Sequence, residues 1–331
     1  MRSGRSRLLR SLARIAVVIA GLWGLLLLDL RGVARRDPPR IVRAFQSVGP
    51  LRAGAAVSLL QPPLPVVRAG YGLPRAVASR EADPLKARAL VLESEGKRLA
   101  LVLVDLVLVP EELARALEAR LAGRAFDGVL LIATHTHSSV GGFDARLLAQ
   151  VVGTGRYRAD VVEAILSSAE RAVRDAERDL VPVSVRTRTS RGTGWAGNRS
   201  SPGADIDDAL DLAVFEAEGR RVATLAIVSA HPTLVERTSP FLSPDYPGVA
   251  MARLETAAGG VALLLQGAAG DAALPTKGTG AVEHAGAAVA RATTETAASA
   301  LPVVPRLGFA DAEVELPPVE PQAIRPFLLR R

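Results

Sequence analysis

Apolar positions along this chain fall into two patterns. Predominantly apolar runs, which suit strands covered on both faces, occur at Ala87–Leu92, Leu99–Leu108, Val129–Ile132 and Val261–Leu265, interrupted only by Arg88 and Asp105. Apolar residues at helical spacing predict helices over Glu111–Gly123, where Leu113, Leu117 and Leu121 form one stripe, and over Asp160–Asp179. Val249–Ala258 and the alanine-rich Ala281–Ala300 add two more helices. Gly54–Leu60 reads as an early strand, and the alternation over Val181–Thr189 as a half-buried one. The turn at Ser94–Lys97 makes a hairpin of the first two apolar runs; Glu218-Gly219 does the same for Leu212–Glu216 and Val222–Ser229. Strands alternating with helices predict an α/β fold, a mixed β-sheet flanked by helices. No internal repeat is visible in the sequence.

The first forty residues depart from this pattern. Arg2, Arg5, Arg7, Arg10 and Arg14 precede the uncharged run Ile15–Leu28, the order of a basic region and hydrophobic segment in an export signal. The run is shorter than the roughly 20 residues that comfortably span a bilayer. Gly32-Val33-Ala34 offers a small-x-small cleavage site, so a retained signal anchor and a cleaved signal peptide both fit. Asp37-Pro38-Pro39-Arg40 reads as a linker. The expected organisation is a membrane-directed segment over 1–40, an exported α/β body over 41–305, periplasmic or extracellular, and a proline-rich tail over 306–331.

Charge and composition narrow the function classes. The formal net charge is +7, and the whole excess lies in residues 1–40, where nine arginines face two aspartates. The body is therefore neutral overall and lacks the basic footprint of a nucleic-acid binder. The chain has no cysteine, which excludes disulfides, thiolate metal sites and cysteine nucleophiles.

Candidate chemistry sits where apolar strands run out into polar or glycine-rich loops, at Ile132–Gly142, Ile227–Pro247 and Leu263–Pro275. Ligands of α/β sheets bind at such strand ends. His135 and His137 are two of only four histidines, and His-x-His on extended backbone turns both rings to one face. They could share a metal, or one could face the metal and the other the substrate. His231, in Ala230-His231-Pro232-Thr233, closes another strand. Neutral imidazoles are good zinc ligands; the long spacing is compatible with a metal centre without being a signature of one. Asp271, in Gln266–Pro275, is placed as an acceptor or base, or as the cap of a tight turn. Arg199, in Asn198-Arg199-Ser200, could clamp a polar head or an oxyanion, or lie in a solvated loop.

Taken together and in order, these segments resemble the neutral/alkaline (non-lysosomal) ceramidase family in its N-terminal domain. The resemblance rests on Thr134-His135-Thr136-His137-Ser138, on Asn198-Arg199-Ser200, on His231-Pro232-Thr233 with Ser243–Gly248 beyond it, and on Gln266–Asp271. Gly70-Tyr71-Gly72, Asp83-Pro84-Leu85 and a strand ending at Asp105 fall in the same order. It implies a Zn2+-dependent hydrolase cleaving the amide of an N-acyl, ceramide-like lipid. His135 and His231 would be zinc ligands, and His137 would stand beside them near the scissile amide. Arg199 and Asp271 would line the reacting centre, and Asn198, Gln266 and Gly267 would contact the substrate. Two departures stand out. Ala273 occupies the position of the family's serine nucleophile. The glutamate and tyrosine that complete the family's zinc shell lie well beyond this loop, and no tyrosine follows Asp271 here. A shortened hydrolase using water as nucleophile is one expectation; a catalytically inactive domain that binds lipid or an envelope component is the other.

Overall fold

The computed structural model of the chain describes residues 16–21, 40–192, 194–274 and 279–313. Two units are distinguished, a main one over 45–309 and a small one from 1–44 and 310–331. In the small unit, residues 16–21 form a helical turn, and Arg40 and Arg43 pair with Glu313 and Asp311. Most of the run Ile15–Leu28 and the tail after 313 lie outside the described residues, and no described helix is long and apolar enough to cross a membrane. Residues 306–313, expected as tail, form a strand.

The main unit contains one arrangement twice. In its first half come β1 (Arg52–Leu59), β2 (Lys86–Ser94), β3 (Lys97–Val104), α1 (Glu111–Leu121), β4 (Gly128–Ala133), α2 (Ala159–Arg178) and β5 (Val181–Pro182). In its second half come β6 (Ser184–Ser190), β7 (Leu210–Ala217), β8 (Arg220–Val228), α3 (Asp245–Ala258), β9 (Val261–Gln266), α4 (Thr279–Ala298) and β10 (Leu301–Val303). The strand orders are β4-β3-β2-β1-β5 and β9-β8-β7-β6-β10. Each sheet has an antiparallel hairpin, a helical crossover to one parallel strand, a second helix, and a short antiparallel edge strand. Both sheets are mixed and flanked by helices, an α/β fold as expected, with two sheets where the sequence suggested one.

Burial on both faces explains why apolar residues dominate these runs. Along β2, Ala87, Ala89 and Val91 join the cluster under α1 and α2, whereas Leu90 and Leu92 join the cluster shared with the second sheet. In β3, Ala100, Val102 and Val104 alternate in the same way with Leu99, Leu101 and Leu103. Burying a Leu or Val side chain contributes about 1.5–3 kcal/mol, so these two strands anchor the unit.

Three boundaries differ from the sequence reading. The stretch Val181–Thr189 is two strands: Val181 and Pro182 pair with β1, and Ser184 onward pairs with β7. The chain crosses between sheets at Val183, whose N–H bonds Leu51 O at 2.9 Å. Alternation cannot reveal a change of partner, because both strands keep the same period. β3 ends at Val104 because buried Asp105 turns its carboxylate back onto Lys86 N–H, at 2.8 Å. Helix α3 begins at Asp245, ahead of the predicted Val249; Pro247 falls in the first turn, where no intrahelical N–H is needed.

Candidate metal centre

The parallel pairs β3/β4 and β8/β9 end in register, Val104 opposite Ala133 and Val228 opposite Gln266. The loops leaving these ends build the site. After β4 the chain alternates: Thr134, Thr136 and Ser138 are buried, whereas His135 and His137 are half-buried. The hydroxyls anchor the loop. Thr136 Oγ1 donates to Ser243 O at 2.9 Å, and Ser138 Oγ accepts from Arg68 Nη2 at 2.6 Å. Arg68, 2% exposed, also donates to the carbonyls of Glu236, Arg237 and Ser239. His135 has φ +66°, a left-handed conformation that costs a non-glycine residue free energy and clusters at functional sites.

His231 is set from the other half. Its N–H bonds Ala272 O at 2.9 Å. The preceding Ala230 O accepts from the buried Tyr246 hydroxyl at 2.6 Å, and that hydroxyl accepts from Gln266 Nε2 at 2.9 Å. Burial pushes the Tyr246 phenol far above its ordinary range, so it stays a donor.

The three rings meet at their Nε2 atoms. His231 Nε2 lies 3.2 Å from His135 Nε2 and 3.1 Å from His137 Nε2, and ring centroids are 4.6–5.0 Å apart. Each Nδ1 faces a backbone carbonyl: His135 that of Val107 at 2.6 Å, His137 that of Gly70 at 2.8 Å, His231 that of Ala269 at 3.1 Å. A carbonyl only accepts, so each Nδ1 carries the proton and each Nε2 presents a lone pair. Burial, the largest cause in each case, lowers all three pKa values, His137 to about 3 with further help from the other two rings. Neutral rings with converging lone pairs cannot hydrogen-bond to one another; they form a cage for a cation. Tetrahedral zinc at ordinary Zn–N lengths places its nitrogens about 3.3 Å apart. These three histidines could hold a metal ion.

The other predicted residues lie around this point in different roles. The short strands Gly197–Asn198 and Ala272–Ala273 pair, and Ala273 bridges to His231. Asn198 Nδ2 donates to Asp271 Oδ2 at 3.2 Å, and Asn198 Oδ1 accepts from the N–H groups of Ser200 and Ser201. Arg199 is exposed; its Nε and Nη2 both reach Gly270 O, at 3.0 and 2.7 Å, and its charge helps depress all three imidazoles. Gln266, half-buried, and Gly267, exposed, also make contacts within the protein. Gln266 Oε1 accepts from Ala230 N–H at 3.4 Å, and a side chain on Gly267 would meet Ser229 Oγ at 2.6 Å.

Several contributors carried little signal in the sequence. The carbonyls of Gly70, Val107 and Ala269 have none, since every residue has one. Tyr71, whose ring centroid is 5.3 Å from that of His137, was visible only as part of a glycine-flanked loop. Gly70, at φ +101°, is demanded by geometry: a Cβ there would lie 2.8 Å from His137 Cβ. Arg68 is the one cation in an otherwise apolar stretch, Val66–Gly70, and such a charge inside a core segment is the clue that finds it.

Two mixed sheets with a three-histidine cluster at their strand ends define an α/β protein with a candidate metal centre. Residues 62–290 match the family model of the neutral/alkaline non-lysosomal ceramidases, N-terminal, and the chain belongs to that family. Among curated proteins it is 28% identical over 214 residues to a neutral ceramidase of Mycobacterium tuberculosis, covering 58% of this chain and 33% of that one. It is 26% identical over 204 residues to neutral ceramidase A of Dictyostelium discoideum, covering 55% and 28%. Among solved structures, neutral ceramidase from Pseudomonas aeruginosa superposes with a TM-score of 0.68 at 24% identity, over 75% of this chain and 45% of that one. A ceramidase complexed with C2 gives a TM-score of 0.69 at the same identity. The chain thus spans about a third of the curated relatives it matches and under half of these solved structures.

Proposed function

We propose that this protein is a zinc-dependent hydrolase of the amide bond in an N-acyl, ceramide-like lipid. One observation carries the proposal: three imidazoles from two halves of the fold, each with its Nδ1 proton committed to a carbonyl, aim their lone pairs at one point. His135, His137 and His231 would hold the ion, leaving its remaining coordination open as in catalytic zinc sites. Bound there, zinc supplies a polarised amide carbonyl and a water of lowered pKa. The chain's own groups do the rest. Arg199, braced on Gly270 O, presents positive charge beside the histidines, suited to an oxygen that gains charge. Asp271, oriented by Asn198, is the carboxylate available to take or return a proton. Ala273 carries no hydroxyl, so the nucleophile is water. Family membership supports a lipid amide as substrate. The basic, then apolar, N-terminal pattern supports an exported body.

A second reading is a lipid-binding relative without turnover. Ala273 beside His231 favours it, because the residue next to a ligand then offers no reacting group. Zinc content and activity separate the two. The purified protein is expected to retain stoichiometric zinc after dialysis and to release fatty acid from a fluorescent ceramide, and His231→Ala to lose both. A zinc-free protein that still binds ceramide would establish the second reading.

A further inference from the structure

One helical segment near the histidines is built inside out. The turn Leu147–Ala149 runs directly into a wider one, Gln150–Thr154. Its polar side chains are spent on its own backbone: Gln150 Nε2 donates to Ala145 O, Gln150 Oε1 accepts from Tyr157 N–H, and Thr154 Oγ1 donates to Ala149 O. Its aliphatic residues face water. Leu147 is 77% exposed and Leu148, Val151 and Val152 are 46–54% exposed. Their spacing, 147, 148, 151 and 152, places them on one helical face.

The neighbouring loop extends this face. Leu73 is 67% exposed, and Arg75 Nη2 bonds Val151 O, fastening the loop to the segment. The same loop supplies Gly70 O and the Tyr71 ring to His137, and Thr154 O accepts from Gly142 N–H at the end of the histidine loop. The apolar face therefore adjoins the candidate metal centre.

Arginines without an ion-pair partner lie beside it. Arg75, Arg156 and Arg237 form no ion pair with a carboxylate among the described residues. The acidic residues of the segment are already engaged, Asp144 with Arg146 and Asp160 with Arg158. Arg237 bonds the carbonyls of Gly72 and Leu73 and lies 6.0 Å from the Tyr71 ring centroid, so its charge stays at the patch. Exposed aliphatic side chains beside unpaired arginines are complementary to an anionic bilayer, with apolar residues entering the acyl boundary and arginines at the headgroups.

We infer that the face formed by Leu73 and the segment 147–157 docks on an anionic membrane surface, bringing a lipid amide within reach of the three histidines. The choice of lipid as substrate rests on the function proposed above; the docking does not require turnover. Because the chain has no cysteine, Val151→Cys gives a unique site for a nitrobenzoxadiazole label on the full-length protein. Vesicles of phosphatidylcholine with phosphatidylglycerol are expected to shift the label's emission to the blue and protect it from iodide. Binding should weaken at least about tenfold with phosphatidylcholine alone and about tenfold in Leu73→Asp/Leu147→Asp, both exposed positions where folding is not at stake. A label on Arg178→Cys should not respond. Adding His231→Ala to the labelled protein should leave docking intact, so loss of the hydrolase reading does not remove the docking result. A label at 151 that stays wet while the protein sediments with vesicles would overturn the inference. So would an equal response to uncharged vesicles, or a concentration-dependent shift without vesicles, which would mark a face between two copies of the chain.

Discussion

The two halves of the main unit share one strand order and differ in what they carry at their strand ends. In the first half, the parallel strand β4 delivers the imidazoles of His135 and His137, and the turn after its neighbour β3 delivers the orienting carbonyl of Val107. In the second half the duties are exchanged: β8, which corresponds to β3, delivers His231, and the loop after β9 delivers the carbonyl of Ala269. The anchors differ as well. The first loop hangs on the buried guanidinium of Arg68, the second on the hydroxyl–amide relay of Tyr246 and Gln266. A topology can therefore be used twice while the chemistry at equivalent positions diverges, because strand pairing constrains backbone and leaves loop side chains free.

The largest test of this comparison removes one ligand from each half. If the halves share one ion, His135→Ala and His231→Ala should each weaken zinc binding a hundredfold or more, measured by competition with a chromophoric chelator. His137→Ala sharpens the point. As a ligand it should match them; as a group beside the ligands it should keep zinc bound and lose activity by about 10- to 100-fold.

The anchors come next. Arg68→Met leaves four acceptors without their charged donor and should destabilise the protein by about 2–3 kcal/mol in urea unfolding. Tyr246→Phe removes one buried hydroxyl and should cost about 1–2 kcal/mol. Equal effects would contradict the view that the first half is held by a charge and the second by a neutral relay.

The remaining test is in pH, where the loss is spread over several pH units. The histidines are less basic in the folded protein than the ordinary value of 6.5, so protonation favours the unfolded chain. Metal-free stability should be complete above pH 6.5 and decline below it, by no more than about 1.4 kcal/mol per pH unit per ring. His137, depressed to about 3, continues this decline furthest into acid. In His137→Ala the stability curve should flatten towards pH 3; an unchanged slope would show that this ring titrates as it does in the unfolded chain.

Much of the fold was legible because local rules decide it. The helices over 111–121 and 159–178 follow from apolar stripes, and the hairpins of β2/β3 and β7/β8 from short turns between apolar runs. The handover at Val183 was hidden because alternation records which face is buried and not which sheet it belongs to. The internal repetition was hidden because the halves share topology while differing in side chains, with α2 packing Ile165 and Leu166 where α4 packs mostly alanine and valine.

By itself, then, the amino-acid sequence determined the main helices and hairpins, the absence of thiol chemistry, the neutral body behind a basic N-terminal stretch, and the set of residues able to do chemistry. Only the tertiary structure decided that His137 stands level with His135 and His231, that Gln266 bonds the Tyr246 hydroxyl behind His231, and that an aliphatic face adjoins the site. The reason is physical. Periodicity and composition act over a few residues, whereas the direction of a lone pair depends on which distant carbonyl takes the ring's proton, and that is settled when two sheets pack together.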